Sequence, residues 1–120
     1  MQVSKEVMIE FFKSEYPDAI DRKFSDEGLN LLIDHIETQE ADEVVKLNYT
    51  PKDLYESYEE DTLNEFIVFY DLDVKIHKNW SEAEQQAAMK TEIEEYLEMR
   101  DAFVGFTSTN HVVYCSSKAA

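Results

Sequence analysis

Apolar positions along the chain recur in short periodic runs, each introduced by a polar capping residue. Val7, Met8, Phe11 and Phe12 lie at helical spacing behind Ser4, and Pro17 closes a helix predicted over 5–16. Ser25 caps a second helix over 26–38. There Leu29, Leu32, Ile33 and Ile36 form one apolar stripe, and Phe24 before the cap meets Leu29 as a hydrophobic staple. The period then shortens: Val45, Leu47 and Tyr49 alternate with Lys46 and Asn48, the pattern of a half-buried strand over 43–49. Thr50-Pro51-Lys52-Asp53 supplies a cap, a proline at the first helical position and an early acid, so a helix follows with Leu54, Tyr55 and Tyr58 turned inward.

The stretch 62–72 carries two periods at once. Leu63, Phe66, Ile67 and Tyr70 have helical spacing, while Phe66, Val68, Tyr70 and Leu72 alternate like a strand. Thr62-Leu63-Asn64-Glu65 is a capping-box pattern and favours the helix. Val74 and Ile76 flank Lys75 in a short extended segment. A second capping box, Ser81 to Glu84, opens the longest helix, over 82–100, with Ala88, Met89, Ile93, Tyr96 and Leu97 inward. Two apolar runs at 102–107 and 111–115, joined by Ser108-Thr109-Asn110, predict a terminal hairpin, and 116–120 reads as a frayed tail. The expected fold is α+β. A single acidic domain over 1–120 has a small antiparallel sheet, made of the strand at about 43–49 and the hairpin at about 102–115, packed on one side against four to five helices.

Composition narrows the function. The net charge is −16, from 27 acidic and 11 basic residues, yet 43% of residues are hydrophobic and 12% aromatic, so there is material for a core. With two glycines, Gly28 and Gly105, the chain has neither a P-loop nor a GxGxxG turn. Its charge repels phosphates, so direct nucleic-acid binding is not expected. The lone Cys115 fits a reducing compartment. The absence of an apolar leader or of a run near the ~20 residues of a membrane span points to the cytoplasm, away from the membrane.

The acids are unevenly placed. Asp53, Glu56, Glu59, Glu60, Asp61 and Glu65 follow one another with no basic residue between them. From Glu82 to Asp101 seven acids, among them Glu94, Glu95 and Glu98, stand against Lys90 and Arg100. Carboxylates four apart on a helix are about 6 Å apart along its axis, a spacing on the scale of successive phosphates. Such rows attract basic clefts and steer association. The competing explanation is a solvated face that keeps the protein dispersed, at a small cost for each like-charged i, i+4 pair.

Other chemistry finds little support. Asp71-Leu72-Asp73 begins like a calcium loop, but Lys75 and the lack of a central glycine break the pattern. His35, His77 and His111 form no HxH or HxxxH pair, and His35 is expected on the polar side of its helix. Cys115 and His111 would lie roughly 13 Å apart along an extended strand, so packing is the reading for the cysteine. No catalytic group, metal or cofactor is therefore assigned. Tyr49, Tyr55, Tyr58, Phe69 and Tyr70 flank the acidic stretch, a mixture found at protein interfaces, although their spacing also suits a core. After Asp101 no acid remains, and the neutral hairpin either packs inward or offers its edge to a second copy in a homodimer.

The order of the block Phe24 to Glu37, the strand Val44 to Tyr49, the acidic helix Leu54 to Glu60, the acidic helix Glu92 to Glu98 and the hairpin Phe103 to Tyr114 resembles small acidic proteins of bacteriophages and prophages, most of them without an assigned activity. The segment Asp71 to Gln86 departs from that pattern as an insertion. The resemblance implies an accessory protein acting on host machinery in the host cytoplasm, and it carries over no catalytic residue. Together with the charge, it leads to the expectation of a non-enzymatic inhibitor that binds a basic nucleic-acid-binding surface on a host defence protein, as an anti-restriction or anti-CRISPR mimic of DNA. The partner-binding residues would be Asp53, Glu56, Glu59, Glu60, Asp61, Glu65, Glu94, Glu95 and Glu98. The alternative is a phage accessory protein that binds through aromatic and apolar surface, its acids only solubilising.

Overall fold

In the computed structural model, which describes residues 5–17, 23–42 and 51–119, helix α1 spans Lys5–Glu15 and helix α2 spans Asp26–Asp42. The side chains of 5–8, 37, 39–42 and 51–53 lie outside the described residues. So does the strand expected over 43–49. Of the expected α1 stripe, Phe12 is fully buried and Phe11 is exposed, while Val7 and Met8 are among the side chains not described. The α2 stripe is as expected: Leu29, Leu32, Ile33 and Ile36 are all fully buried, together with Phe24. The Ser25 hydroxyl accepts the Gly28 N–H at 3.0 Å and so caps the helix.

Helix α3, Pro51–Ser57, is shorter than the sequence suggests. The chain leaves it for strand β1, Tyr58–Thr62, so residues 58–60, expected at the end of a helix, are extended. The break has a distant cause, since Ser25 and His111 hold Glu60 and Tyr114 holds Asp61, and a local one at its end. Thr62 is the N-cap of the next helix, α4 (Leu63–Tyr70), and an N-cap residue needs extended backbone, here φ −66° and ψ 159°. The full capping box forms, with Thr62 and Glu65 bonded reciprocally, and it resolves the ambiguous stretch as helix. After an irregular passage, Ser81 and Glu84 form the second capping box and start α5, Glu82–Glu98. Met89, Ile93 and Leu97 are its buried residues.

Strands β2 (Phe103–Phe106) and β3 (His111–Cys115) form the expected hairpin, and β1 pairs antiparallel to β3 on its other side, giving the sheet order β1-β3-β2. The third strand among the described residues is thus an acidic one. The fold is α+β, with a small antiparallel sheet among helices, but the helices are not confined to one side. Val112, Val113, Tyr114 and Cys115 are all buried although neighbours on a strand point to opposite faces, so β3 is covered twice. One face carries α4 and α5, through Tyr114 against Phe66. Toward the other, Ser25 at the start of α2 reaches Glu60, and Leu31 approaches Gly105.

The tail expected to fray is ordered through residue 119: Ser116–Ala119 forms a short helix, α6, with Ala119 fully buried. The Tyr96 hydroxyl donates to the Ala119 carbonyl at 2.7 Å, and the Ser116 hydroxyl donates to the Ser57 carbonyl at 3.1 Å. These bonds tie the chain end to α5 and to the α3–β1 junction.

Candidate functional site

The acidic residues of β1 are sorted by the pleat. Glu60 points to the α2 side, where its side chain is only 3% exposed. Its Oε1 accepts the Ser25 N–H at 2.9 Å and the Ser25 hydroxyl at 3.0 Å, and its Oε2 meets His111 Nδ1 at 2.7 Å. With its oxygens engaged and its surface covered, Glu60 is a structural group and not part of a docking surface. His111, at the start of β3, is accordingly occupied by that carboxylate.

Glu59 and Asp61 face the other way, toward α4. The Tyr114 hydroxyl, on β3, donates to Asp61 Oδ2 at 2.6 Å, a diagonal cross-strand contact set by the register that puts Asp61 opposite Val112 and Glu59 opposite Tyr114. Burial pushes the Asp61 carboxyl above its usual range. The Tyr114 bond opposes that rise, and the charges of Glu59, Glu65 and Glu60 add to it. Burial also pushes the Tyr114 phenol up, reinforced by the neighbouring Asp61, so the phenol is a permanent donor to the carboxylate.

The floor beneath these acids is aromatic. Tyr114 packs edge-on against Phe66 at 4.9 Å between ring centroids, and Tyr70 lies 4.5 Å from Phe66 and 5.5 Å from Tyr96. Helix α4 supplies the far wall. Glu65, in its first turn, accepts the Thr62 N–H at 3.0 Å, which holds its carboxyl below the usual range while leaving it exposed. Phe69 follows one turn later and is 76% exposed; its neighbour Val68 is 80% exposed. Glu59, Asp61, Glu65, Phe69, Tyr70, Tyr114 and Ser116 line an open cleft of about 310 Å³.

The protein itself shows how this region holds a cation. Lys23 Nζ donates to Glu59 Oε1 at 2.9 Å and to the Tyr55 carbonyl at 2.7 Å, and stands 4.4 Å from the centroid of the Tyr55 ring. A carboxylate on one side and a tyrosine face on the other thus receive an ammonium group at the edge of the acidic strand. Just past the end of α5, the Arg100 guanidinium stands 3.6 Å from the Tyr96 ring centroid and donates to the Tyr96 carbonyl at 3.0 Å.

Of the nine acids singled out from the sequence, the cleft gathers Glu59, Asp61 and Glu65. Glu60 is turned away, and Glu56 is exposed on α3. The side chain of Asp53 lies outside the described residues. Glu94 is half-buried while Glu95 and Glu98 are exposed on α5, and none of the three lines the cleft. Tyr114 and Ser116 were not among the sequence candidates. Tyr114 had a faint signal, since it alternates with Val112 on the hairpin and so shares its face.

Among the described residues no group of three His, Cys, Asp or Glu side chains is placed to hold a metal ion. His35 is half-buried, not on a polar face: burial pushes its imidazole below the usual value, with the Asp101 charge opposing. Cys115 is a buried free thiol whose Sγ lies 3.1 Å from Ser117 Oγ. Among the described residues no helix is long and apolar enough to cross a membrane. Compared with protein-family models, curated proteins and solved structures, the chain matches none.

Proposed function

We propose that this is a non-enzymatic binding protein that occupies a basic surface of a partner protein, a surface of the kind that otherwise holds nucleic acid. The observation that carries this reading is the convergence of Glu59, Asp61 and Glu65 on one aromatic-floored cleft in a chain of net charge −16. Glu65 offers an exposed carboxylate to a lysine or arginine, and partial exclusion of water around Glu59 strengthens such an attraction. The surrounding excess of negative charge raises the rate of encounter with a positive surface. Inhibition of a host restriction or CRISPR component, suggested by the charge together with the resemblance to small phage proteins, belongs to this proposal as its most specific form.

A second reading, binding through apolar surface with the acids only solubilising, is favoured by the exposure of Val68 and Phe69. Salt separates the two. The immobilised protein is challenged with bacterial lysate and washed with rising sodium chloride, and each released protein is assayed for DNA binding with and without the acidic chain. The first reading expects release as salt rises and loss of DNA binding by the captured protein. Capture that persists unchanged to about 1 M salt, where the Debye length is about 3 Å, excludes an electrostatic mechanism. Reversal of Glu59 and Glu65 to lysine is expected to abolish capture under the first reading and to leave it intact under the second.

A further inference from the structure

Val68 and Phe69 are the most exposed hydrophobic residues of α4, and Phe69 is at the same time a wall of the acidic cleft. Large apolar side chains so exposed in adjacent positions are a docking feature when a polar rim surrounds them. The charged residues beside them are mainly acidic: Glu59, Asp61 and Glu65 line the cleft and Asp71 is exposed at the helix end, while Lys23 is paired with Glu59. The cover must therefore be apolar at its centre and cationic at its edge. A second copy of this chain could supply apolar cover but fails the cationic condition, because it brings another −16 to a surface that is already negative. An anionic lipid surface is repelled for the same reason.

We infer that the α4 face and the cleft beside it receive a partner segment that carries both arginine or lysine and a large apolar residue. The cation enters between the carboxylates and the tyrosine floor, as Lys23 sits between Glu59 and Tyr55, and the apolar residue covers Val68 and Phe69. The inference rests on the function proposed above and adds to it that charge alone does not select the partner.

The test uses the whole protein and two dye-labelled synthetic peptides of equal length and equal arginine content. In one, leucines separate the arginines; in the other, serines do. Binding is read by fluorescence anisotropy, and the contact surface by amide chemical-shift changes. The leucine peptide is expected to bind at least about tenfold more tightly, with shifts centred on α4 and β1. The double variant Val68→Ser/Phe69→Ser is expected to remove that preference, and the single variant Val68→Ser, which changes an exposed side chain outside the cleft lining, is expected to reduce it while leaving the serine peptide's affinity unchanged. The control Glu95→Gln/Glu98→Gln, outside the cleft, is expected to preserve the preference. Equal, salt-sensitive affinities for the two peptides overturn the inference while leaving the parent proposal standing. A preference that survives the double variant, or shifts centred on α5, also overturns it. Failure of both peptides to bind at low salt overturns the inference and the parent proposal together.

Discussion

Gly28 leaves the space that the carboxylate of Glu60 fills: a Cβ at position 28 would collide with Glu60 Oε1. The reason for the glycine lies in the capping of α2. Ser25 is the cap, Gly28 stands third in the helix, and in a self-contained capping box a Glu at that position would reach back to the cap N–H. Here Glu60 comes from β1 instead and accepts the Ser25 N–H itself. The box is completed across the fold by a residue 35 positions away.

Gly28→Ala should therefore invert its usual effect. In an open helix the change gains up to about 1 kcal/mol of propensity. Here it displaces a buried carboxylate from Ser25 and His111, a loss of about 1–3 kcal/mol or more. A net destabilisation of about 1–2 kcal/mol is expected in urea unfolding. In a Glu60→Ala background the space is free and the same substitution should become stabilising. An unchanged sign between the two backgrounds would show that residues 28 and 60 are not coupled.

Asp61 gives a pH dependence of definite sign. Its folded-state carboxyl is raised by burial, so between the unfolded and folded values the native state binds more proton than the unfolded chain. The stability Asp61 contributes is present below its unfolded value near pH 4 and is lost as pH rises through the folded value. Glu27 and Glu65 act the other way: hydrogen bonds from Ser108 and Thr62 lower them, and their contribution is lost as pH falls. Asp61→Asn can still accept the Tyr114 hydroxyl and no longer carries the charge. Its stability relative to the parent is expected to grow as pH rises from 4 to 7, measured by urea midpoints at each pH. A constant difference would show that Asp61 titrates alike in both states.

The helices were legible because their signals are local. Ser25, Thr62 and Ser81 each sit within three residues of the N–H group that their side chains satisfy. Strand β1 was not legible, since Tyr58-Glu59-Glu60-Asp61-Thr62 has little β propensity and no apolar alternation. What makes it a strand is distant: Ser25, His111 and Tyr114 receive its carboxylates. One local clue was present, because the N-cap at Thr62 needs extended backbone there and so sets an end to any helix before it. The cleft was hidden for the same reason. The acids were visible as a run, but which of them share a face depended on strand geometry, and Tyr114 reaches them across 53 positions.

The two capping boxes invite a comparison. Ser81→Ala removes one side-chain bond at the exposed start of α5 and is expected to cost about 1 kcal/mol. Thr62→Ala removes the equivalent bond at a residue that also ends β1 opposite His111, so it loosens helix and strand together. Its cost is expected to reach about 2 kcal/mol. Parallel urea titrations decide the order. If the serine variant proves the weaker protein, the junction of β1 and α4 is not the tighter of the two.

The chain end provides the last test, because sequence and structure disagree there. Deletion of residues 116–120 removes the Ala119 carbonyl from the Tyr96 hydroxyl, the Ser116 hydroxyl from the Ser57 carbonyl and the buried methyl of Ala119. Two hydrogen bonds at about 1 kcal/mol each, with a small apolar term, suggest a loss of about 2–3 kcal/mol. Tyr96→Phe deletes only the first bond and should cost about 1 kcal/mol. The ratio matters more than either value. If truncation costs no more than the single phenol, α6 adds nothing beyond one bond. If it costs clearly more, the terminal turn is part of the core that positions Tyr96 and Tyr70 under the cleft, and truncation should weaken binding of the basic peptide along with the fold.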